Sequence, residues 1–261
     1  MPRSSGEEAL MDRWAWPTTV KVIVGLMVAG MVAGTVLLLV EVYELTGAFP
    51  AETGDFVNDI QAGNEFLTAQ YPLDFAGSAL FAIGFAALGL LGLLLARVVG
   101  PGDSRGPILS GTLLLAGGLG VAAQLVLIGA TPVATSPQYC ECGLLAEELM
   151  SRLMAFNIVQ GIQTWLTNGA ILAAAAGLVI AARPGVHAGM PRGWAYLGYL
   201  TALAGIIVVV LWSFSHETFP FNLWSQVVVA AILLPAWAIW LAMLSEDLRL
   251  GDRGVDLLQG D

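Results

Sequence analysis

Asn157, Gln160, Thr164 and Asn168 recur at spacings of three and four residues in an otherwise apolar stretch, with Gly161 among them. At 100° per residue these positions share one strip of a helix. Carboxamides and a hydroxyl both donate and accept hydrogen bonds, but they carry no charge and supply no strong base. In hydrocarbon such groups need partners, so the strip is expected to look into a helical bundle, with Gln124 of the preceding apolar stretch as its counterpart. Two chemistries are open to it. One is interhelical hydrogen bonding, worth about 0.6 kcal/mol per bond. The other is a polar cavity that takes a small neutral molecule or a desolvated cation.

Glu147-Glu148-Leu149-Met150-Ser151-Arg152 is a second candidate. It resembles the EExxxR pattern that opens the active site of the CAAX-type intramembrane protease family. That resemblance implies glutamates that activate water by general-base or metal-assisted chemistry, with Glu147, Glu148 and His216 as the catalytic set. The family also carries an FxxxH and a later histidine motif. Here Trp212-Ser213-Phe214-Ser215-His216 gives a WxxxH, and the other histidine, His187, falls in a turn expected across the membrane. Read without the family, Glu148 and Arg152 stand at i,i+4, a helix ion pair worth a few tenths of a kcal/mol.

Three smaller features follow. Cys140-Glu141-Cys142, with Met150 and Met154 nearby, offers soft ligands of the kind Cu(I) takes. No histidine shares that loop, a disulfide at this spacing is strained, and no metal is expected from C-x-C alone. His216 and Glu217 read either as an interfacial cap among aromatic-belt residues or as a group that senses protons. Gly30 and Gly34 form a GxxxG, a face for close helix contact within the chain or with another membrane subunit.

The elements that position these residues are transmembrane helices. Of 261 residues 57% are hydrophobic and 11% charged, far below the roughly 25% charge of a soluble domain. A bilayer core about 30 Å thick needs roughly 20 apolar residues. Six stretches qualify, at about 18–42, 75–99, 108–130, 153–182, 194–215 and 223–244. The fold class is therefore all-α, a polytopic six-helix bundle. Segment 1–17 precedes it, longer loops occupy 43–74 and 131–152, and a polar tail covers 245–261. The first span is too long for a signal-peptide core and reads as a signal anchor. Within the first long loop, acids alternate with Phe56, Ile60, Phe66 and Leu67. That spacing predicts a short helix over 55–69, resting on the mouth of the bundle. Trp14, Trp16, Trp194 and Trp240 lie near span ends, as interfacial anchors do. Trp165 and Trp237 lie deeper and read as packing residues.

Charge sets the expected orientation. With the N-terminus in the cytoplasm, nine of the ten basic residues face inward and Arg152 alone faces out. That is a strong positive-inside bias, and with six spans both termini are cytoplasmic. Eleven of the twenty acids then lie outside or at the outer interface, so the whole net charge of −10 is external. A field of that sign attracts cations and repels anions within about a Debye length; its other role is a solvated face.

Absences narrow the function. No P-loop, GxGxxG, HExxH or GxSxG occurs, no span pairs histidines for haem, and no mid-span lysine suits a retinal Schiff base. The sequence thus names no cofactor. No acid sits in mid-membrane to relay protons, and no basic patch suits nucleic acid. The reading is a non-enzymatic protein of a prokaryotic plasma membrane whose first partner is the lipid bilayer. It either binds a small ligand in an outward-open polar cavity, with Gln124, Asn157, Gln160, Thr164 and Asn168 as the site, or serves as an accessory subunit of a membrane complex.

Overall fold

The computed structural model describes residues 5–48, 56–99, 104–135, 146–214 and 226–245. These form α1 (Ser5–Ala48), α2 (Phe56–Val99), α3 (Arg105–Thr135), α4 (Ala146–His187), α5 (Arg192–Phe214), a π-helical stretch (Val228–Leu233) and α6 (Leu234–Leu244). The first five are long and apolar enough to cross a membrane, and Val228–Leu244 is a shorter apolar helix. The chain is a multi-pass membrane protein.

Several helices outrun the spans expected of them. α2 has 44 residues and α4 has 42. At 1.5 Å per residue these are about 66 and 63 Å long, roughly twice the hydrocarbon thickness. The short helix expected over 55–69 is not a separate element. It is the first part of α2, which continues through Pro72. A proline removes one backbone hydrogen bond, and α2 remains helical on both sides of it. Segment 1–17 is likewise helical from Ser5, through Pro17.

Each helix packs antiparallel against the next, and the last element closes on α1 and α5. Small residues bring α1 and α2 together. A Cβ on Gly30 would lie 2.5 Å from the Leu80 carbonyl oxygen and 2.6 Å from the Gly84 nitrogen, and one on Gly34 would lie 2.9 Å from the Phe81 ring. Lipid supplies no hydrophobic force between helices, so backbones that touch gain dispersion contacts instead. The GxxxG face is therefore occupied by α2 of the same chain. The alternative, that Gly30 and Gly34 receive another subunit, is corrected: both are buried. The same device joins α2 to α3, where a Cβ on Gly117 would lie 2.8 Å from the Phe85 carbonyl and 2.9 Å from Gly89 Cα.

The reversal from α4 to α5 is a Schellman motif. Gly189 takes φ 102; its N–H donates to Val186 O at 3.1 Å, and the Met190 N–H donates to Gly185 O at 2.9 Å. Met190 folds back beside Gly185, and the Trp194 ring covers Gly185 so closely that a Cβ there would lie 2.5 Å from it. Trp194 then stacks on Trp237 of α6, centroids 4.9 Å apart at 26°. Both rings are 0% exposed. Trp194 and Trp16 are thus buried packing residues rather than the interfacial anchors their positions suggest.

This cluster lies at the end of the bundle that carries Lys21, Arg97, Arg105, Arg183 and Arg192, all exposed. Packing weakens toward the opposite end on two helices. α4 has buried residues from Asn168 to Gly185, but among the described side chains from Ser151 to Thr167 none is buried. On the last element, Leu234, Pro235, Trp237, Ala238 and Leu241 are buried and the π-helical stretch has no buried residue. Pro235 has no N–H to give, and the Leu234 N–H reaches back five residues to Val229 O, the wide turn of a π-helix.

Candidate functional site

Close contacts fix the register of α4 against its neighbours. A Cβ on Gly169 would meet Leu119, and one on Gly177 would meet Leu113, both of α3. Across the other seam, a Cβ on Gly205 of α5 would meet Ile171, and one on Gly198 would lie 3.7 Å from Leu178 O. These antiparallel registers set Gln124 of α3 and Trp212 of α5 level with Thr164 of α4. Asn168 is one turn further in. The expected association of Gln124 with the α4 strip is therefore one of height in the bundle.

Burial divides the strip. Asn168 is 5% exposed and Gln124 6%, so two carboxamides are buried at the root of the loosened part of α4. Thr164 is half-buried and its hydroxyl donates to Gln160 O at 2.9 Å. Gln160 and Gly161 are exposed, which corrects the expectation that the whole strip looks into the bundle. Asn157 is carried on the α4 backbone one turn beyond Gly161. Trp165, expected to be a packing residue, is 70% exposed. It points away from the bundle, beside Thr164.

Four further residues at this level were not assigned to the polar site from the sequence. Gln163 and Thr167 are half-buried on α4; the Thr167 hydroxyl donates to Gln163 O at 2.9 Å, and Gln163 Nε2 donates to Thr167 Oγ1 at 3.4 Å. On α5 the Ser213 hydroxyl donates to Val209 O at 2.8 Å, while the buried Trp212 Nε1–H has no acceptor. The signal for these residues is the antiparallel register of α4 and α5, which the sequence does not print. Threonine and serine donate their own protons along the helix and keep oxygen lone pairs to accept with.

The arrangement offers amide donors and acceptors, hydroxyl acceptors and one unpaired indole N–H. Segments 108–130, 154–182 and 193–213 contain no Asp, Glu, Lys or Arg. Such a set holds an uncharged polar group. An ionised one in this setting lacks the opposite charge that burial requires. At the basic end lies an apolar crevice bounded by Trp16, Val20, Leu91, Leu94, Leu95, Leu241 and Ser245, with no room for a water-sized molecule.

The other candidates fare differently. Glu147 and Glu148 belong to the first turn of α4, about 30 Å along the helix from Asn168. His216, Glu217, Cys140 and Cys142 lie outside the described residues. Among the described residues no three His, Cys, Asp or Glu come together to hold a metal. Comparison with protein-family models, with curated proteins and with solved structures finds no match to this chain.

Proposed function

We propose that this chain is a non-enzymatic plasma-membrane protein, both termini cytoplasmic, that binds a small uncharged molecule between α3, α4 and α5 from the acidic, external end. One observation carries the reading: among the described side chains of α4 from Ser151 to Thr167 none is fully buried, and they include Gln160, Gln163, Thr164 and Thr167. A helix covered less at one end than at the other would leave room for a small molecule between itself and its neighbours. Gln124 and Asn168, both buried near this height, would be its deepest polar groups, with the Trp cluster at the far end of the bundle.

A thermal-shift screen of neutral amides and polyols against the purified protein tests this. The expected result is a stabilising compound whose effect vanishes in Gln124→Leu/Asn168→Leu while the variant keeps its helical spectrum. A compound that stabilises both proteins equally binds elsewhere and removes the site.

A second reading, an accessory subunit, is favoured by a different feature. Met154, Ile158, Ile162 and Trp165 form an exposed apolar stripe on the same part of α4, a face another transmembrane helix can cover. Native mass spectrometry of the protein extracted from its own membrane separates the two readings: a stoichiometric second protein supports the subunit, its absence the ligand site.

A further inference from the structure

Two arginines from different helices stand at one height on the rim of the basic end. Arg105 opens α3, and Arg183 lies in the last two turns of α4. The register between these helices is fixed at Gly177, where a Cβ would meet the side chains of Leu113 and Thr112. Counted along each helix from that contact, Arg105 and Arg183 differ in height by about 3 Å or less. Both are exposed. Their own helices bring no carboxylate to balance them: α3 has no acid, and Glu147 and Glu148 of α4 lie at its other end.

Below the arginines the outer side of the α3–α4 seam is apolar and uneven. Ile108 and Leu115 of α3 and Leu172 and Val179 of α4 are exposed. Gly111 and Gly118 of α3 and Ala176 of α4 are exposed among them. A Cβ on Gly111 or Gly118 would meet nothing within 4 Å, so bulky side chains alternate with bare backbone. The membrane-crossing stretch of α3 begins at Arg105 and that of α4 ends at His187, which puts the two arginines at the surface of one leaflet. From Arg105 to Leu115 is about 15 Å along α3, and from Arg183 to Leu172 about 16 Å along α4. Both lengths are close to half of a bilayer core about 30 Å thick. A molecule with its charge at the arginines therefore lays its tail over these residues, toward the midplane and within a single leaflet.

We infer that the outer side of this seam holds an anionic phospholipid, its phosphate at Arg105 and Arg183 and its acyl chains over Gly111, Gly118 and Ala176. The inference stands apart from the reading of the polar level, which lies toward the opposite end of α4. Guanidinium groups match phosphate oxygens in two-pronged hydrogen bonds, and each basic residue at a membrane surface adds to the attraction for an anionic headgroup. A zwitterionic lipid brings its own cation to the same arginines and gains less. A soluble phosphate gains the charge contact alone and leaves the apolar side chains to other lipids.

The test is native mass spectrometry of the full chain in detergent, titrated with phosphatidylglycerol and with phosphatidylcholine of the same acyl chains. Phosphatidylglycerol is expected to bind more tightly. Arg105→Gln/Arg183→Gln should weaken it roughly thirtyfold, toward the level of phosphatidylcholine. Arg105→Lys/Arg183→Lys keeps both charges and should retain more of the preference. Lys21→Gln should leave the preference in place, because Lys21 is on α1, which packs on α2 and α6. Ala176→Trp fills the seam without changing its charge and should weaken both lipids. Equal binding of the two lipids, a preference that survives Arg105→Gln/Arg183→Gln, equal losses in the glutamine and lysine pairs, or a loss as large in Lys21→Gln would each overturn the inference. Displacement of the lipid by glycerophosphoglycerol, which has the headgroup and no tails, would overturn it as well, since the arginines would then read a soluble phosphate.

Discussion

Trp194 donates its indole N–H to the backbone carbonyl of Trp237 at 3.2 Å while the two rings stack with centroids 4.9 Å apart. One residue opens α5 and the other lies within α6, so a single side chain ties two helices that meet at few other points. The bond uses a carbonyl in a helix whose ladder is already disturbed upstream, at Val228–Leu233. Trp194 therefore contributes apolar area, ring contact and a buried hydrogen bond at once.

Trp194→Ala is expected to destabilise the bundle by about 3–5 kcal/mol. Trp194→Phe keeps the ring contact and loses the donor, and its expected cost is about 1–3 kcal/mol, because the Trp237 carbonyl is left without that partner. Thermal or denaturant unfolding in detergent micelles checks both. Equal losses in the two variants would mean the hydrogen bond, not the ring, holds α5 to α6.

Gly30 and Gly25 make a controlled pair on α1. A Cβ on Gly30 meets α2 backbone atoms at 2.5 and 2.6 Å, whereas one on Gly25 meets nothing within 4 Å. Gly30→Ala should push α1 from α2 and cost about 1–3 kcal/mol. Gly25→Ala should be neutral or stabilise by up to roughly 1 kcal/mol, since alanine is the better helix former. Because the Gly30 face is filled within the chain, the mass of the detergent-solubilised particle should not change in either variant. A shift in oligomeric state on Gly30→Ala would reopen the intersubunit role.

Gly189→Ala places a Cβ on a residue with φ 102. The left-handed region costs an L-residue about 1–2 kcal/mol, so the variant should lose stability by that amount. Gly189→Asn should lose less, because asparagine visits this region more readily. Hydrogen exchange of the Gly189 and Met190 amides, the two donors of the helix-terminating turn, should quicken in the same order.

Gln124→Leu and Asn168→Leu test whether the two buried amides act as a unit. If they meet only as packing groups, a double-mutant cycle returns a coupling near the membrane average of about 0.6 kcal/mol. A coupling near zero, with ligand binding lost in each single variant, would mean that each amide contacts the ligand rather than the other.

Orientation is checked with an impermeant maleimide on intact cells, in a Cys140→Ser/Cys142→Ser background. Ser104 and Ser151 are exposed and lie at opposite ends of the bundle. Ser151→Cys is expected to react from outside and Ser104→Cys only after lysis. The reverse pattern would invert the topology and put the polar level on the cytoplasmic side.

Five of the six expected spans were legible in the sequence, the sixth being the shorter apolar helix Val228–Leu244, because hydrocarbon leaves little choice: a stretch without charges that is long enough to cross must satisfy its own backbone as a helix. Charge asymmetry gave the expected orientation by the same kind of local rule. Helix ends were less legible. Polar residues mark where lipid ends and not where a helix ends, so α2 and α4 run on well past their apolar stretches.

Which face of each helix meets which neighbour was decided only by the tertiary structure. Trp165 and Trp194 are the same residue type in comparable apolar settings, yet one is 70% exposed and the other fully buried. The difference arises from Gly185 and from the stack with Trp237, contacts remote in sequence from anything that marks Trp194 as special. Gly30 and Gly34 announced close packing, but α2 as the partner came from the register of Gly77, Phe81 and Gly84 against them. The polar residues of α4 were visible as a strip. That Asn168 is buried while Gln160 is exposed depends on how far along α4 its neighbours cover it, and helical periodicity, being the same along the whole strip, contains no information about that height.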